Sequence, residues 1–435
     1  MPPPPTTIAR QPFHGMTKPI GSVCNLDCTY CFYLEKARLY EGQGGRRMSR
    51  EVLVAYIRDY IASQPGREVH FAWQGGEPTL AGLDFFREAV ELQKRFGIGR
   101  VIHNAFQTNG TLLDDEWGGF LAKNNFLVGI SVDGPRDIHD GYRVDKGQRP
   151  TFERVMRGID VLKRHKVEFN TLTTVHKKNS RRGAEVYRFL RETGSGYMQF
   201  IPIVERAAEA TGAAASGLWL SPPPDHPDAD GADPRVTEWS VRPKDYGEFL
   251  CAIFDEWVRR DVGRFFVQQF DAALANWAGE PAGICVFSEK CGRAVAVEHN
   301  GDVYACDHYV YPHYRLGNLL SASLGAMVDS PGQQAFGEAK TGALPRHCRE
   351  CPVRFACHGE CPKHRFLTTP HGEPGLNYLC GAYKKFFAHI DSAMRTMAAL
   401  LSAGQAPAAI MQIPRARWLR AGRESAKTEP RRYRG

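Results

Sequence analysis

Between Lys18 and Arg260 the chain alternates strand-like with helix-like stretches, and few folds accept that rhythm. Apolar runs at Lys18–Ser22, Val69–Trp73, Val101–Gln107, Phe126–Val132, Glu168–Val175 and Tyr197–Ile203 read as strands. Segments with helical periodicity follow them at Arg50–Ala62, Asp84–Arg95, Asp115–Lys123, Phe152–His165, Ala184–Glu192 and Tyr246–Arg260. Strands separated by helices pair in parallel through right-handed crossovers. Six such units fall short of the eight that close a barrel. They predict an α/β protein with a partial (β/α)6 TIM-like barrel, and an open doubly wound sheet is the alternative.

In a parallel barrel, ligands sit at the C-terminal ends of the strands. The loop after the first predicted strand reads Cys24-Asn-Leu-Asp-Cys28-Thr-Tyr-Cys31-Phe-Tyr. Its C-x3-C-x2-C spacing offers three thiolates to three irons of a [4Fe–4S] cube and leaves the fourth iron open to a small molecule. A closed cluster or a structural zinc needs a fourth ligand, and the nearest histidine, His14, lies ten residues upstream. The bland reading is a partial zinc knuckle or three unrelated thiols. At the same end fall Gln74-Gly75-Gly76-Glu77-Pro78, Gln107-Thr-Asn109-Gly110 and Ser131-Val-Asp133-Gly-Pro135. Paired glycines let backbone approach a ligand closely. Ser131 offers a hydroxyl to a ligand or caps the Asp-Gly-Pro turn. Arg143 suits a carboxylate gripped bidentately, or a surface salt bridge.

Past Trp277 cysteines, glycines and short strands (Ala294–Glu298, Val303–Ala305) dominate, which puts a domain boundary at about 262–263. Cys285, Cys291, Cys306, Cys348, Cys351, Cys357, Cys361 and Cys380 make two sets of four, enough for two fully ligated clusters. Their spacing also suits tetrahedral zinc. Cys251, in Phe249-Leu-Cys251-Ala-Ile-Phe254, reads as a buried helix residue. Ala207–Pro234 reads as a long surface loop or disordered insertion, and an apolar helix at Tyr378–Leu401 closes the second domain.

Hydrophobic content of 43% and charged content of 24% over 435 residues are those of an ordinary globular protein. No apolar run reaches membrane-spanning length, and the N-terminus lacks the pattern of a signal peptide. Clustered cysteines in a cytoplasmic chain then mean metal or redox chemistry rather than disulfides. Of the net charge of +8, a surplus of six lies beyond Gln405, in a tail that reads as solvated and mobile. The nearly neutral remainder argues against nucleic acid as a partner.

These motifs, with Gln74-Gly-Gly-Glu-Pro-Thr-Leu-Ala-Gly82, Gln107-Thr-Asn-Gly-Thr111, Val303-Tyr-Ala-Cys306-Asp307 and the C-x2-C-x5-C-x3-C run, resemble the anaerobic sulfatase-maturating enzymes. Those are radical S-adenosylmethionine (SAM) proteins with a C-terminal SPASM domain. The resemblance runs from about Pro19 to Phe387 and says nothing of Ala207–Pro234 or the tail. It implies SAM and three [4Fe–4S] clusters as cofactors. The SAM-binding cluster would sit on Cys24, Cys28 and Cys31. One auxiliary cluster would sit on Cys285, Cys291, Cys306 and Cys361, the other on Cys348, Cys351, Cys357 and Cys380. It further implies SAM contacts at Tyr30, Gly76, Ser131, Arg143 and Met198, and a proton acceptor at Asp307. In that family a 5′-deoxyadenosyl radical takes a hydrogen from Cβ of a Cys or Ser in an unfolded sulfatase segment. Loss of a proton and a second electron then gives Cα-formylglycine. The implied partners are the sulfatase polypeptide and an electron donor such as flavodoxin or ferredoxin.

The nearest rival is a radical SAM–SPASM maturase that forms thioether or carbon–carbon links in ribosomal peptides. Such enzymes often carry an N-terminal peptide-recognition domain, and only seventeen residues precede Lys18. A non-catalytic metal-binding scaffold is the reading from a different class.

Overall fold

A computed structural model of the chain describes residues 4–41, 45–208, 219–229 and 235–418. Strands and helices alternate as β1 (His14–Thr17), α1 (Arg50–Ser63), β2 (Glu68–Trp73), α2 (Leu83–Phe96), β3 (Val101–Thr108), α3 (Asp115–Lys123) and β4 (Phe126–Ser131). The single-turn α4 (Arg136–His139), α5 (Phe152–Arg164), β5 (Phe169–Val175), α6 (Gly183–Glu192), β6 (Tyr197–Pro202) and α7 (Pro243–Arg260) follow. A two-residue β7 (Phe266–Val267) and α8 (Gln268–Ala278) end the series. β1 to β7 lie side by side in sequence order, all parallel. The six expected βα units are present and the sheet stays open.

At its other edge the sheet continues. β8 (Ala294–Val297) pairs in parallel with β1, and antiparallel β9 (Asp302–Tyr304) and β10 (Arg315–Asn318) lie beyond it. One ten-stranded sheet therefore crosses the expected boundary near Val262 without a break. The rest is α9 (Leu324–Val328), α10 (Pro331–Gly342), single-turn α11 (Arg346–Arg349) and α12 (Arg354–Cys357), the hairpin β11 (Leu367–Thr368) and β12 (Pro374–Leu376), and α13 (Cys380–Ser402). α13 packs on α7 and α8, so the closing helix ties the cysteine-rich part to the barrel. Among the described residues no helix is long and apolar enough to cross a membrane.

The helices bury one face each against the sheet. Tyr56 and Tyr60 of α1, Phe71 and Trp73 of β2, Phe86 of α2 and Phe106 of β3 are all buried there. Truncating one such ring to Ala costs about 3–5 kcal/mol. Side-chain caps set helix starts: Ser49 accepts from the Val52 N–H and Asp114 from the Trp117 N–H.

Three expectations are corrected. The first strand ends at Thr17; Lys18–Ser22 turns instead, with Gly21 at φ +56°. His14-Gly15-Met16 hides a strand because Gly15 serves packing, since a Cβ there would lie 3.2 Å from the Tyr56 hydroxyl. The second correction concerns Ala207–Pro234, which is no plain surface loop. Leu220 and Ser221 are buried, and the Trp219 and Leu220 N–H groups donate to the Glu35 carboxylate at 3.0 and 3.1 Å. Residues 209–218 and 230–234 lie outside the described residues. Third, the tail's first part is packed: Ile410 is fully buried, Trp418 nearly so, and Arg415 faces Asp255 at 3.6 Å. Its remaining basic residues, from Arg420, lie outside the described residues.

Candidate active site

The Cys24–Cys31 loop crosses the C-terminal mouth of the barrel and is shaped by its neighbours. Asp27 N–H donates to the Val144 carbonyl at 2.8 Å and Thr29 N–H to the Tyr142 carbonyl at 3.1 Å. Asn109, from the loop after β3, donates from Nδ2 to Asn25 Oδ1 at 2.9 Å and approaches Cys24 Sγ at 3.8 Å. Burial pushes the Cys24 thiol up to about 12 and the Cys31 thiol to about 11, and raises Cys28 as well. Buried thiols left to themselves stay protonated; a bound iron inverts that preference by ligating the thiolate.

The Gly-Gly-Glu-Pro turn after β2 fits under this loop. Gly76 N–H donates to the Gly21 carbonyl at 2.7 Å, and a Cβ on Gly76 would lie 1.9 Å from the Val23 carbonyl oxygen. Glycine is obligatory there. Glu77 is fully buried and accepts from Thr79 and Thr108 hydroxyls (both 2.7 Å) and from the Asn109 N–H (2.7 Å). Its carboxyl is raised from the ordinary value by burial, against those hydrogen bonds. Glu77 thus pins the β2 and β3 loops together.

A second hub is Asp133, after β4. Arg143 grips it through Nε at 2.9 Å and Nη2 at 3.1 Å, the Tyr30 hydroxyl donates at 2.5 Å, and Thr174 N–H donates at 3.0 Å. His176 Nε2 stands 3.6 Å away. Burial works against the Asp133 charge, but Arg143 outweighs it and holds the carboxyl far below the usual range. Arg143 is therefore neither a surface residue nor wholly free: Nη1 is the guanidinium nitrogen outside its bidentate pair. Tyr30 stands against the same guanidinium, 5.5 Å from its ring centroid, 103 residues from Asp133 in the chain.

Ser131 faces the barrel interior, where its hydroxyl accepts from Gln107 Nε2 at 3.1 Å. The register places Gln107 beside Gly129, and Ser131, Leu172 and Gln199 in one row. Met198 does not join them. It belongs to the buried core and lies on the opposite face of β6, toward the helices, so the expected SAM contact there is not met. The interior-facing neighbour is Gln199, because side chains alternate along a strand.

In the cysteine-rich part, Cys348, Cys351, Cys357 and Cys380 line one cavity, together with His347 and Lys384. Cys285, Cys291 and Cys361 form the other set with Cys306, whose thiol is raised by burial and by Cys285 and Cys291 nearby. Two buried cations lace the loops. Lys340 Nζ donates to the carbonyls of Cys285, Ser288 and, at 3.2 Å, Val286. Arg365 donates to the carbonyls of Gly359 (2.9 Å), His358 (2.9 Å), Glu360 (3.1 Å) and Lys340 (2.5 Å). Both donor sets fit cubane clusters, since two groups of four thiols converge beside buried positive charge. Cys251 sits in the apolar core, as expected.

Asp307 follows Cys306 and forms an ion pair with Lys18, the residue after β1. Burial raises its carboxyl, but Lys18, with His308 and Lys363, outweighs that and holds it below the ordinary value. Sequence reasoning missed Lys18, Asp133, Gln107, Lys340 and Arg365 as site residues. Asp133 and Lys18 stand at strand ends, a signal that was available; nothing local marks Lys340 or Arg365.

Residues 19–190 match the radical SAM superfamily and residues 285–352 match SPASM, an iron–sulfur cluster-binding domain. The serine-type anaerobic sulfatase-maturating enzyme of Bacteroides thetaiotaomicron is 47% identical, over 92% of this chain and 95% of its own. The cysteine-type enzyme of Clostridium perfringens is 33% identical over 87% and 96%. Among solved structures, native anSMEcpe with bound AdoMet and Cp18Cys peptide superposes with a TM-score of 0.76 at 32% identity, over 90% of this chain and 99% of that one.

Proposed function

Because the chain belongs to the anaerobic sulfatase-maturating enzymes, radical SAM proteins with a SPASM domain, we propose that it oxidises a Ser or Cys side chain of an unfolded sulfatase segment to Cα-formylglycine. The observation that carries this reading is the Lys18–Asp307 pair. It brings a carboxylate adjacent to the auxiliary ligand Cys306 to the mouth of the barrel, beside the end of β1. Bound at these cysteines, SAM and the clusters would supply the hydrogen-abstracting radical and carry off the electrons.

The chain's own residues supply position and a base. Cys24, Cys28 and Cys31 hold the first cluster. Gly76 brings backbone against the loop, and Ser131 with Gln107 offers polar contacts inside the barrel. Arg143, braced by Asp133 and Tyr30, holds a fixed positive charge beside Cys28. Asp307 accepts the substrate proton, and Lys18 keeps it ionised and ready to do so. A flavodoxin- or ferredoxin-class protein delivers electrons, and the cytoplasm is the compartment that suits the free thiols. The serine-type relative exceeds the cysteine-type one in identity, 47% against 33%, which favours Ser as the target.

The test is anaerobic incubation with SAM, dithionite and sulfatase-derived peptides carrying Ser or Cys, read by mass spectrometry. An aldehyde product is expected on the Ser peptide. A thioether cross-link without aldehyde would move the protein to the rival class of peptide maturases.

A further inference from the structure

The far end of the barrel carries a cluster that the chemistry above leaves unused. Glu68 and His70 of β2 and His103 of β3 occupy the N-terminal, interior-facing end of the sheet. His70 and His103 are directly paired across the two strands, and their imidazoles stack at 4.5 Å with planes 11° apart. Both turn Nε2 toward one oxygen, Glu68 Oε2, at 3.4 Å from His70 and 3.8 Å from His103. These separations are long for hydrogen bonds. A tetrahedral divalent ion with bonds of about 2.0–2.1 Å sets its ligand atoms about 3.3–3.4 Å apart. The Glu68–His70 edge of such a site is already formed, and the Glu68–His103 edge needs a shift of a few tenths of an ångström. The third edge joins the two imidazole nitrogens, which lie within 4.8 Å of each other, and one imidazole turns out of the stack to bring both lone pairs onto the ion.

We propose that Glu68, His70 and His103 bind a borderline divalent transition metal of the zinc class, separate from the iron–sulfur ligands. The charges favour it. Two protonated imidazoles face to face would repel, whereas two neutral imidazoles and one carboxylate are the donor set that such ions take. The strands are paired on both sides, so the ligands stand on rigid backbone. The side chains are about half exposed, which leaves room for water to complete the shell. His14, on neighbouring β1, lies edge-on to His70 with ring centroids 6.3 Å apart and is a third imidazole, and so a fourth ligand, within reach of a rotation. His70 is four residues upstream of Gln74, about 13 Å along the strand, so this ion would not touch the cysteine mouth.

The test uses tag-free, cluster-loaded enzyme dialysed anaerobically against Zn2+, with zinc and iron counted on the same sample. The wild type should hold about one zinc per chain beyond its iron. The double variant His70→Ala/His103→Ala should lose that zinc and keep its iron. Zinc affinity should fall by more than about 100-fold, the upper figure for losing a mere outer-sphere partner. Zinc retained by the double variant, or no zinc on the wild type, overturns the proposal. Should the double variant fail to fold, Glu68→Gln, an exposed isosteric change, must still weaken zinc binding with iron unchanged.

Discussion

The loop of Cys24, Cys28 and Cys31 is shaped by side chains of the barrel, whereas the loops of the eight later cysteines are laced by two buried cations. In the first region Asp133, Glu77 and Asn109 project from successive strand ends and hold a short loop from beneath. Positive charge arrives through Arg143, already half spent on Asp133, and through Lys18, which is paired with Asp307. In the second region Lys340 and Arg365 aim their donors at the carbonyls of the loops that carry the thiols. The difference follows from ligand count. Three thiolates leave room for an external ligand and little charge to offset. Four thiolates outweigh the cluster core, and a buried negative group needs a cation near it.

The largest expected effect separates the regions outright. Replacing Cys24, Cys28 and Cys31 together by Ala should abolish SAM cleavage and lower iron from about twelve to about eight per chain, the auxiliary clusters surviving. Iron loss from both regions would show that they are not independently held. Next comes Asp307→Asn, which should depress peptide oxidation about 10²–10⁴-fold while 5′-deoxyadenosine still forms. Loss of auxiliary iron in this variant would make Asp307 a support of the Cys306 loop instead.

Arg143→Ala strips the buried Asp133 of its main partner and should cost about 3–5 kcal/mol in unfolding experiments. SAM affinity should fall with it, and unchanged stability would refute the bracing role. Arg365→Gln leaves several carbonyls unsatisfied. It should cost about 1–3 kcal/mol and loosen auxiliary iron while the first cluster stays loaded, as iron analysis of the variant would show. Asp271 of α8 lies outside both regions and serves as a control. Burial raises its carboxyl to about 7. Its folded value thus exceeds the unfolded one, so its contribution to stability is present below about pH 4 and lost as pH rises through 7. Asp271→Asn should raise thermal stability at pH 8 by about 1 kcal/mol or more and change nothing at pH 4.

The six βα units, the Cys24–Cys31 loop and the count of eight later cysteines were legible because periodicity and spacing are local signals. The division of those eight into two crossed sets came from the family resemblance and not from their order. The first strand was misplaced by a few residues, since His14-Gly15-Met16 owes its extended form to Tyr56 and to pairing with β2 and β8. Met198 was misassigned because only the register says which face of β6 looks inward. Asp133 with Tyr30 and Lys18 with Asp307 join residues far apart in sequence, and no window along the chain contains both partners. The same holds for Glu68, His70 and His103, which become a cluster only when β2 and β3 align.

The pairing of β1 with β8 bears on how the molecule is made. His14 lies opposite Ala294, so the strand leading into the first cysteine loop gains its second neighbour only after 280 more residues have been synthesised. At about 5–20 residues per second, that is roughly 14–56 seconds on the ribosome. For that interval β1 is an edge strand and Lys18 has no Asp307 to meet. Such distant pairing slows the last folding step. The cysteine loop nearest the start of the chain is then among the last parts to reach its final shape, and the first cluster is best inserted after synthesis is complete.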